Sequence, residues 1–175
     1  MKDNIKYKTF MKKITWLLVL SSIALTGSGC AKNLAEQAAE KVIEKQTGQK
    51  TDIQLNNGSA DVTIGDTTTS LGSGTSVPTN WPTDVPLEEN IIPKASLVNT
   101  TTATLSYNTT KAANDVINFY KQQLNNKGWK EEASTQANGT YSYITTKDKK
   151  KTMITYSADP TSADQKLVTV TVTTL

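Results

Sequence analysis

Apolar and polar residues recur with different periods along the chain, and the period identifies each element. Ile14 to Leu25 is a mainly apolar run behind Lys12-Lys13. As a helix it would reach about 18 Å at roughly 1.5 Å per residue, well short of the ~30 Å core of a bilayer. Leu34, Ala35, Ala38, Ala39, Val42 and Ile43 then recur at three- and four-residue spacing, with Glu36, Glu40, Lys41, Glu44 and Lys45 on the other faces. This predicts an amphipathic spacer helix ended at Gly48, its stripe packing on the domain or holding it off a membrane. The period drops to two in Thr51-Asp52-Ile53-Gln54-Leu55 and again in Ala60-Asp61-Val62-Thr63-Ile64. With Asn56-Asn57-Gly58 between them, the two pieces read as a hairpin. From Gly65 to Thr79 the apolar residues are Leu71 and Val77, which predicts a flexible linker.

Pro78, Pro82, Pro86 and Pro93 bracket Trp81, Val85, Leu87, Ile91 and Ile92. Proline fixes φ and lacks an N–H, so this run is expected as an extended strap that lays its large side chains on a domain. Beyond it, Ala103, Leu105 and Tyr107 alternate with Thr102, Thr104 and Ser106, as in a half-buried strand. Thr109 or Thr110 offers an N-cap, and Ala113, Val116, Ile117, Tyr120 and Leu124 mark a helix ended at Lys127-Gly128. Trp129 is expected between that helix and the sheet. Strands follow at about Lys130–Ser134, Tyr141–Thr146, Thr152–Ser157 and Lys166–Thr174, with hairpin turns at Asn138-Gly139 and Asp148–Lys151. The fold class expected is α+β: a largely antiparallel four- to five-stranded sheet with one helix on one face, preceded by a separate amphipathic helix and a flexible linker.

The N-terminal run ends in Thr26-Gly27-Ser28-Gly29-Cys30, and Cys30 is the chain's one cysteine. A basic head, a short apolar stretch and small residues before a lone cysteine resemble the signal peptides of bacterial lipoproteins. Gly27 stands where that pattern usually has a larger aliphatic. The resemblance implies removal of residues 1–29 and acylation of Cys30, with palmitate-type chains holding the protein on a bilayer. A second resemblance rests on Trp81-Pro82-Thr83-Asp84-Val85-Pro86, Val116-Ile117-Asn118-Phe119-Tyr120-Lys121 and Gly128-Trp129. These are similar to segments of a group of small uncharacterised prokaryotic lipoproteins, which implies a fold and no reaction. The expected organisation is a signal peptide (1–29), a lipid-anchored spacer helix (30–50), a Thr/Ser/Gly-rich hairpin and linker (51–77), a Pro-rich strap (78–93) and an α+β domain (94–175).

Composition narrows the chemistry. The chain carries 19 Lys+Arg against 16 Asp+Glu, but five of those lysines and one aspartate precede Cys30, leaving 14 against 15. Without a basic excess in the mature chain, nucleic acid is not an expected partner. Arginine and histidine are absent, which removes bidentate phosphate forks, imidazole catalysis and the commonest metal ligand. No metal and no cofactor is expected. Asp61 and Asp66 near Gly65 lack the calcium-loop spacing. Glu88, Glu89, Glu131, Glu132, Asp159 and Asp164 are the candidates for a carboxylate pair, read as solvated surface residues because adjacent strand positions point apart. The Lys147–Lys151 turn is read as solubilising. The Thr-x-Thr rows make a flat polar face if they fall in register over several strands.

The functional expectation is a non-enzymatic, membrane-anchored exported lipoprotein with a binding or structural role at the cell envelope, on the cell membrane or outer membrane. Its partners would be the bilayer, through acylated Cys30, and an envelope glycan or protein. The alternative is an envelope hydrolase using Asp/Glu chemistry.

Overall fold

The structure is a computed structural model that describes residues 29–56 and 58–175, with side chains in the first helix from Asn33 onward. The segment expected to be a signal peptide, apart from Gly29, lies outside the described residues, as does the Cys30 side chain. Helix α1 is Gly29–Thr47, and a second helix, α2, is Ala113–Asn126. The strands are β1 Thr51–Asn56, β2 Ser59–Ile64, β3 Thr67–Gly72, β4 Pro93–Val98, β5 Thr102–Thr109, β6 Lys130–Ala137, β7 Thr140–Lys147, β8 Lys150–Asp159 and β9 Ser162–Thr174. Among the described residues they form one antiparallel sheet of nine strands in the order β1-β2-β3-β4-β5-β9-β8-β7-β6. The strands, strap and α2 all belong to the unit Leu34–Leu175. No described helix is long and apolar enough to cross a membrane.

The expectation of a four- to five-stranded sheet with a flexible linker before it is therefore corrected. Thr67 to Gly72, taken as linker, is β3, paired with β2 on one side and through Thr68↔Val98 to Leu71↔Ala95 with β4 on the other. Its threonines favour extended backbone, and ladders on both sides satisfy its polar groups, so it needs no apolar face of its own. Gly72 sits at φ +109, and a Cβ there would lie 2.0 Å from the Gly58 carbonyl oxygen. Only glycine closes the β2–β3 end in this way.

α2 packs on β6, β7 and β8. Its buried Val116, Ile117, Tyr120 and Leu124 meet Tyr107, Tyr143, Ile154, Tyr156, Val168, Val170 and Val172 of the sheet, together with Val85 and Trp129. The connection from β3 to β4 lays Val85 into this core and packs Trp81, Leu87 and Ile91 against it. Prolines leave such a strap short of backbone donors, and indole groups clamp it: Trp81 Nε1 donates to the Val85 carbonyl at 2.9 Å, and Trp129 Nε1 to that of Asp84 at 3.0 Å.

Two local expectations change. The N-cap of α2 is Ala112, which has no capping side chain, because β5 keeps Thr109 in its ladder opposite Lys166. Asp115 in the first turn places a negative charge near the helix's positive end instead. Nor does α1 turn its whole apolar stripe inward: Ala35, Ala39 and Ile43 are half-buried beside glutamates. Leu34 and Val42 are 70% and 54% exposed, whereas Glu36, Glu40 and Glu44 face the sheet edge.

Candidate functional site

The strap delivers Glu88 to the sheet end where β5 runs into the turn before α2. Glu88 is 6% exposed. Its Oε2 accepts from the Tyr107 hydroxyl at 2.8 Å, and its Oε1 from Lys111 Nζ at 2.6 Å. The Tyr107 and Tyr120 hydroxyls lie 3.0 Å apart. Strand alternation turns Tyr107 inward and helical spacing turns Tyr120 inward, so two phenols converge beneath one carboxylate. Burial, the Tyr120 hydroxyl and the Glu88 carboxylate push the Tyr107 phenol far above the usual tyrosine range. Burial raises Tyr120 as well. Lys111 is itself positioned: its N–H donates to Thr109 Oγ1 at 3.1 Å, and its carbonyl accepts from the Tyr156 hydroxyl at 3.1 Å.

Beside this group lies a second one. Asp159 Oδ1 accepts from the Thr161 N–H and hydroxyl at 2.8 and 2.7 Å, and its Oδ2 accepts from Lys94 Nζ at 3.1 Å and Asn108 Nδ2 at 2.5 Å. The Thr161 side chain and backbone, then Asn108 and Lys94, hold this carboxyl well below the ordinary range, against the effect of its desolvation. Asn108 also donates to Gln165 Oε1, while its own buried Oδ1 has no partner.

Glu88, Tyr107, Asn108, Lys111 and Gln165 line an open pocket of about 250 Å³ completed by Glu89, Asn90, Ile91, Thr109 and Thr110. A wider groove of about 570 Å³ runs past Asp61, Asp66, Ser70 and Ser96. Its two aspartates are partly or fully exposed, so it lacks the buried charge that distinguishes the Glu88 pocket.

Of the six candidate carboxylates, Glu88 and Glu89 share the pocket. Glu88 and Asp159 are both buried, contrary to a purely solvated reading. Glu131 and Glu132 go to different lysines, Lys121 at 3.7 Å and Lys151 at 3.0 Å. Asp164 is exposed. In the lysine turn, Lys147 and Lys150 clasp Asp84 of the strap at 3.8 and 3.2 Å, so this turn also fastens the strap. The hydroxyl rows do fall in register: Ser106, Thr169, Thr155, Ser142 and Thr135 align across β5, β9, β8, β7 and β6. Within these rows Thr104 bonds Thr171 at 3.2 Å and Ser106 bonds Thr169 at 3.0 Å, which turns part of the array onto itself. Among the described residues no group of three or more His, Cys, Asp or Glu could hold a metal ion.

Residues 93–173 match the model of a family described as START domain-like. The match runs from β4 to β9 and takes in α2, so β1 to β3 and α1 lie outside it. The comparisons with curated proteins and with solved structures return no match.

Proposed function

We propose that this chain is an exported lipoprotein, anchored through acylated Cys30, whose domain binds a ligand without transforming it, and that the ligand seat is the pocket over Glu88. The observation that carries the reading is the state of the pocket floor. Both Glu88 oxygens are committed, one to an ammonium at 2.6 Å and one to a phenol at 2.8 Å. A carboxylate so engaged is a poor base, and a phenol whose ionisation is pushed up by burial supplies no nucleophile near neutral pH. What the pocket does offer is a fixed set of donors and acceptors: the Lys111 ammonium and the amides of Asn90 and Gln165, beside the apolar Ile91. That mixture suits a small polar molecule rich in hydroxyl or amide groups, the chemistry of an envelope glycan. The START domain-like match supports a binding role for the same part of the chain.

The hydrolase reading places Glu88 and Glu89 as an acid/base pair. It requires an unpaired carboxylate opposite a carboxylic acid, and the Lys111 contact works against it. Calorimetric titration of the full chain in detergent with envelope glycan fragments tests the two together. Binding that falls at least tenfold in Lys111→Ala and Gln165→Ala, with the fragments recovered intact, is the expected result. Cleaved fragments, or binding indifferent to both substitutions, would overturn it. Mass spectrometry of the mature amino terminus tests the anchor separately: an unmodified thiol at Cys30 removes it.

A further inference from the structure

The outer edge of β1 is closed by side chains. Leu55 N–H donates to Glu36 Oε1 at 2.7 Å, Ile53 N–H to Glu40 Oε1 at 2.9 Å, and Thr51 N–H to Glu44 Oε1 at 2.9 Å. These are the outward-facing donors of an edge strand, spaced two residues apart. Two strand residues advance about 6.6 Å and four helical residues about 6 Å, so glutamates at every fourth position of an antiparallel helix match the edge nearly rung for rung. The outward carbonyls of the same strand residues receive nothing from a carboxylate, which only accepts. The ladder thus closes the donor half of an edge that remains a template for another strand.

We infer that α1 is a displaceable guard of this edge, and that when α1 is withdrawn the edge takes the β1 of a second copy, joining two nine-stranded sheets across a two-fold axis. The strand is self-complementary with its centre on the axis. With Ile53 opposite Ile53, Thr51 meets Leu55, and each outward N–H finds an outward carbonyl. Asp52, the one charged residue of Thr51–Asn56, then faces Gln54 rather than its own copy, so no like charges oppose. Asp52 already accepts from Gln54 Nε2 at 3.0 Å within one chain, and the register offers the same pairing across the axis. Ile53 is 5% exposed, and in this register it gains a cross-strand contact with its counterpart on the same face. The inference is independent of the Glu88 pocket and of the anchor.

Cross-linking of the full chain in detergent tests it. Facing residues of a hydrogen-bonded antiparallel pair have Cα atoms about 5.5 Å apart, within disulfide reach, so Ile53→Cys reports the register directly. In the Glu36→Ala/Glu40→Ala/Glu44→Ala background, Ile53→Cys is expected to form a covalent dimer at least tenfold faster than Ile53→Cys alone. The parent without Ile53→Cys measures any cross-linking through Cys30. The triple Gln variant keeps every carbonyl acceptor and is expected to behave as the parent. Near-UV circular dichroism from Trp81 and Trp129, away from β1, checks that the domain stays folded; if the triple Ala variant loses it, Glu40→Ala alone is read in its place. Equal dimerisation with and without the glutamates, or an opened edge whose Thr51, Ile53 and Leu55 amides exchange fast in a monomer, overturns the inference.

Discussion

Removing Lys111 probes what the buried Glu88 carboxylate needs. Lys111→Ala deletes a charge-assisted hydrogen bond of 2.6 Å to a side chain that is 4% exposed. Breaking a fully buried pair costs about 3–5 kcal/mol, and a hydrogen bond to a charged group contributes about 1.5–3 kcal/mol. The Lys111 side chain is 56% exposed and the pocket above is open, so water screens the pair and reaches the freed oxygen. The expected loss is therefore about 2 kcal/mol, near the middle of the hydrogen-bond range. Glu88→Gln keeps an acceptor for Tyr107 and removes the charge, at a cost of about 1 kcal/mol. In that background no buried charge is left to compensate, and Lys111→Ala should cost less than about 0.5 kcal/mol, which makes the coupling about 1.5 kcal/mol. Urea unfolding followed by tryptophan fluorescence reads both: with a slope of about 1–3 kcal/mol per molar, 2 kcal/mol moves the midpoint by roughly 1 M. Additive single and double variants would show that Glu88 is not held as a buried charge by Lys111, and the account of the pocket floor would fail with it.

Three further outcomes follow from the same contacts. Thr145 and Thr152 face each other across β7 and β8, fully buried, with hydroxyl oxygens that lack partners. Thr152→Val keeps the shape and removes an unpaired polar group, so unfolding should show a gain of about 0.5–1.5 kcal/mol, and a loss would mean the hydroxyl is satisfied by water. Asp159 has a lowered folded-state pKa, so its stabilisation is complete above the unfolded value of about 3.9 and is lost as pH falls below that. Asp159→Asn should flatten the acid limb of the stability curve, and a limb of unchanged steepness in that variant would count against the Thr161, Asn108 and Lys94 contacts. Gly72→Ala places a methyl 2.0 Å from the Gly58 carbonyl oxygen at φ +109 and should cost about 2–4 kcal/mol by urea unfolding, whereas an effect under about 1 kcal/mol would mean that this end of β2 and β3 yields easily.

What could be read from the sequence was whatever buries a face locally. β5 and β9 alternate valine, leucine and tyrosine with threonine, and α2 carries its apolar residues at helical spacing, so each announces its own period and its own inward side. β3 announces nothing, because Thr67-Thr68-Thr69-Ser70 has no apolar side; its place comes from ladders with β2 and with β4, and β4 arrives only after the whole strap. The inward face of α1 misled for a related reason. Its glutamates meet backbone donors rather than water, and an i, i+4, i+8 row of carboxylates looks the same in either setting until the strand beside it is known. Glu88 was hidden by its neighbour Glu89, since two acidic residues after a Pro-rich run read as surface. A signal did exist on other elements: alternation placed the Tyr107 hydroxyl in the core and helical spacing placed that of Tyr120 beside it. Two buried phenols need a polar partner. The nearest segment free to supply one was the strap, because Val85 and Leu87 dock it against the same core and carry the next residue in with them. Local period thus located the donors of the site, and the identity of their acceptor depended on a connection that only the packed chain reveals.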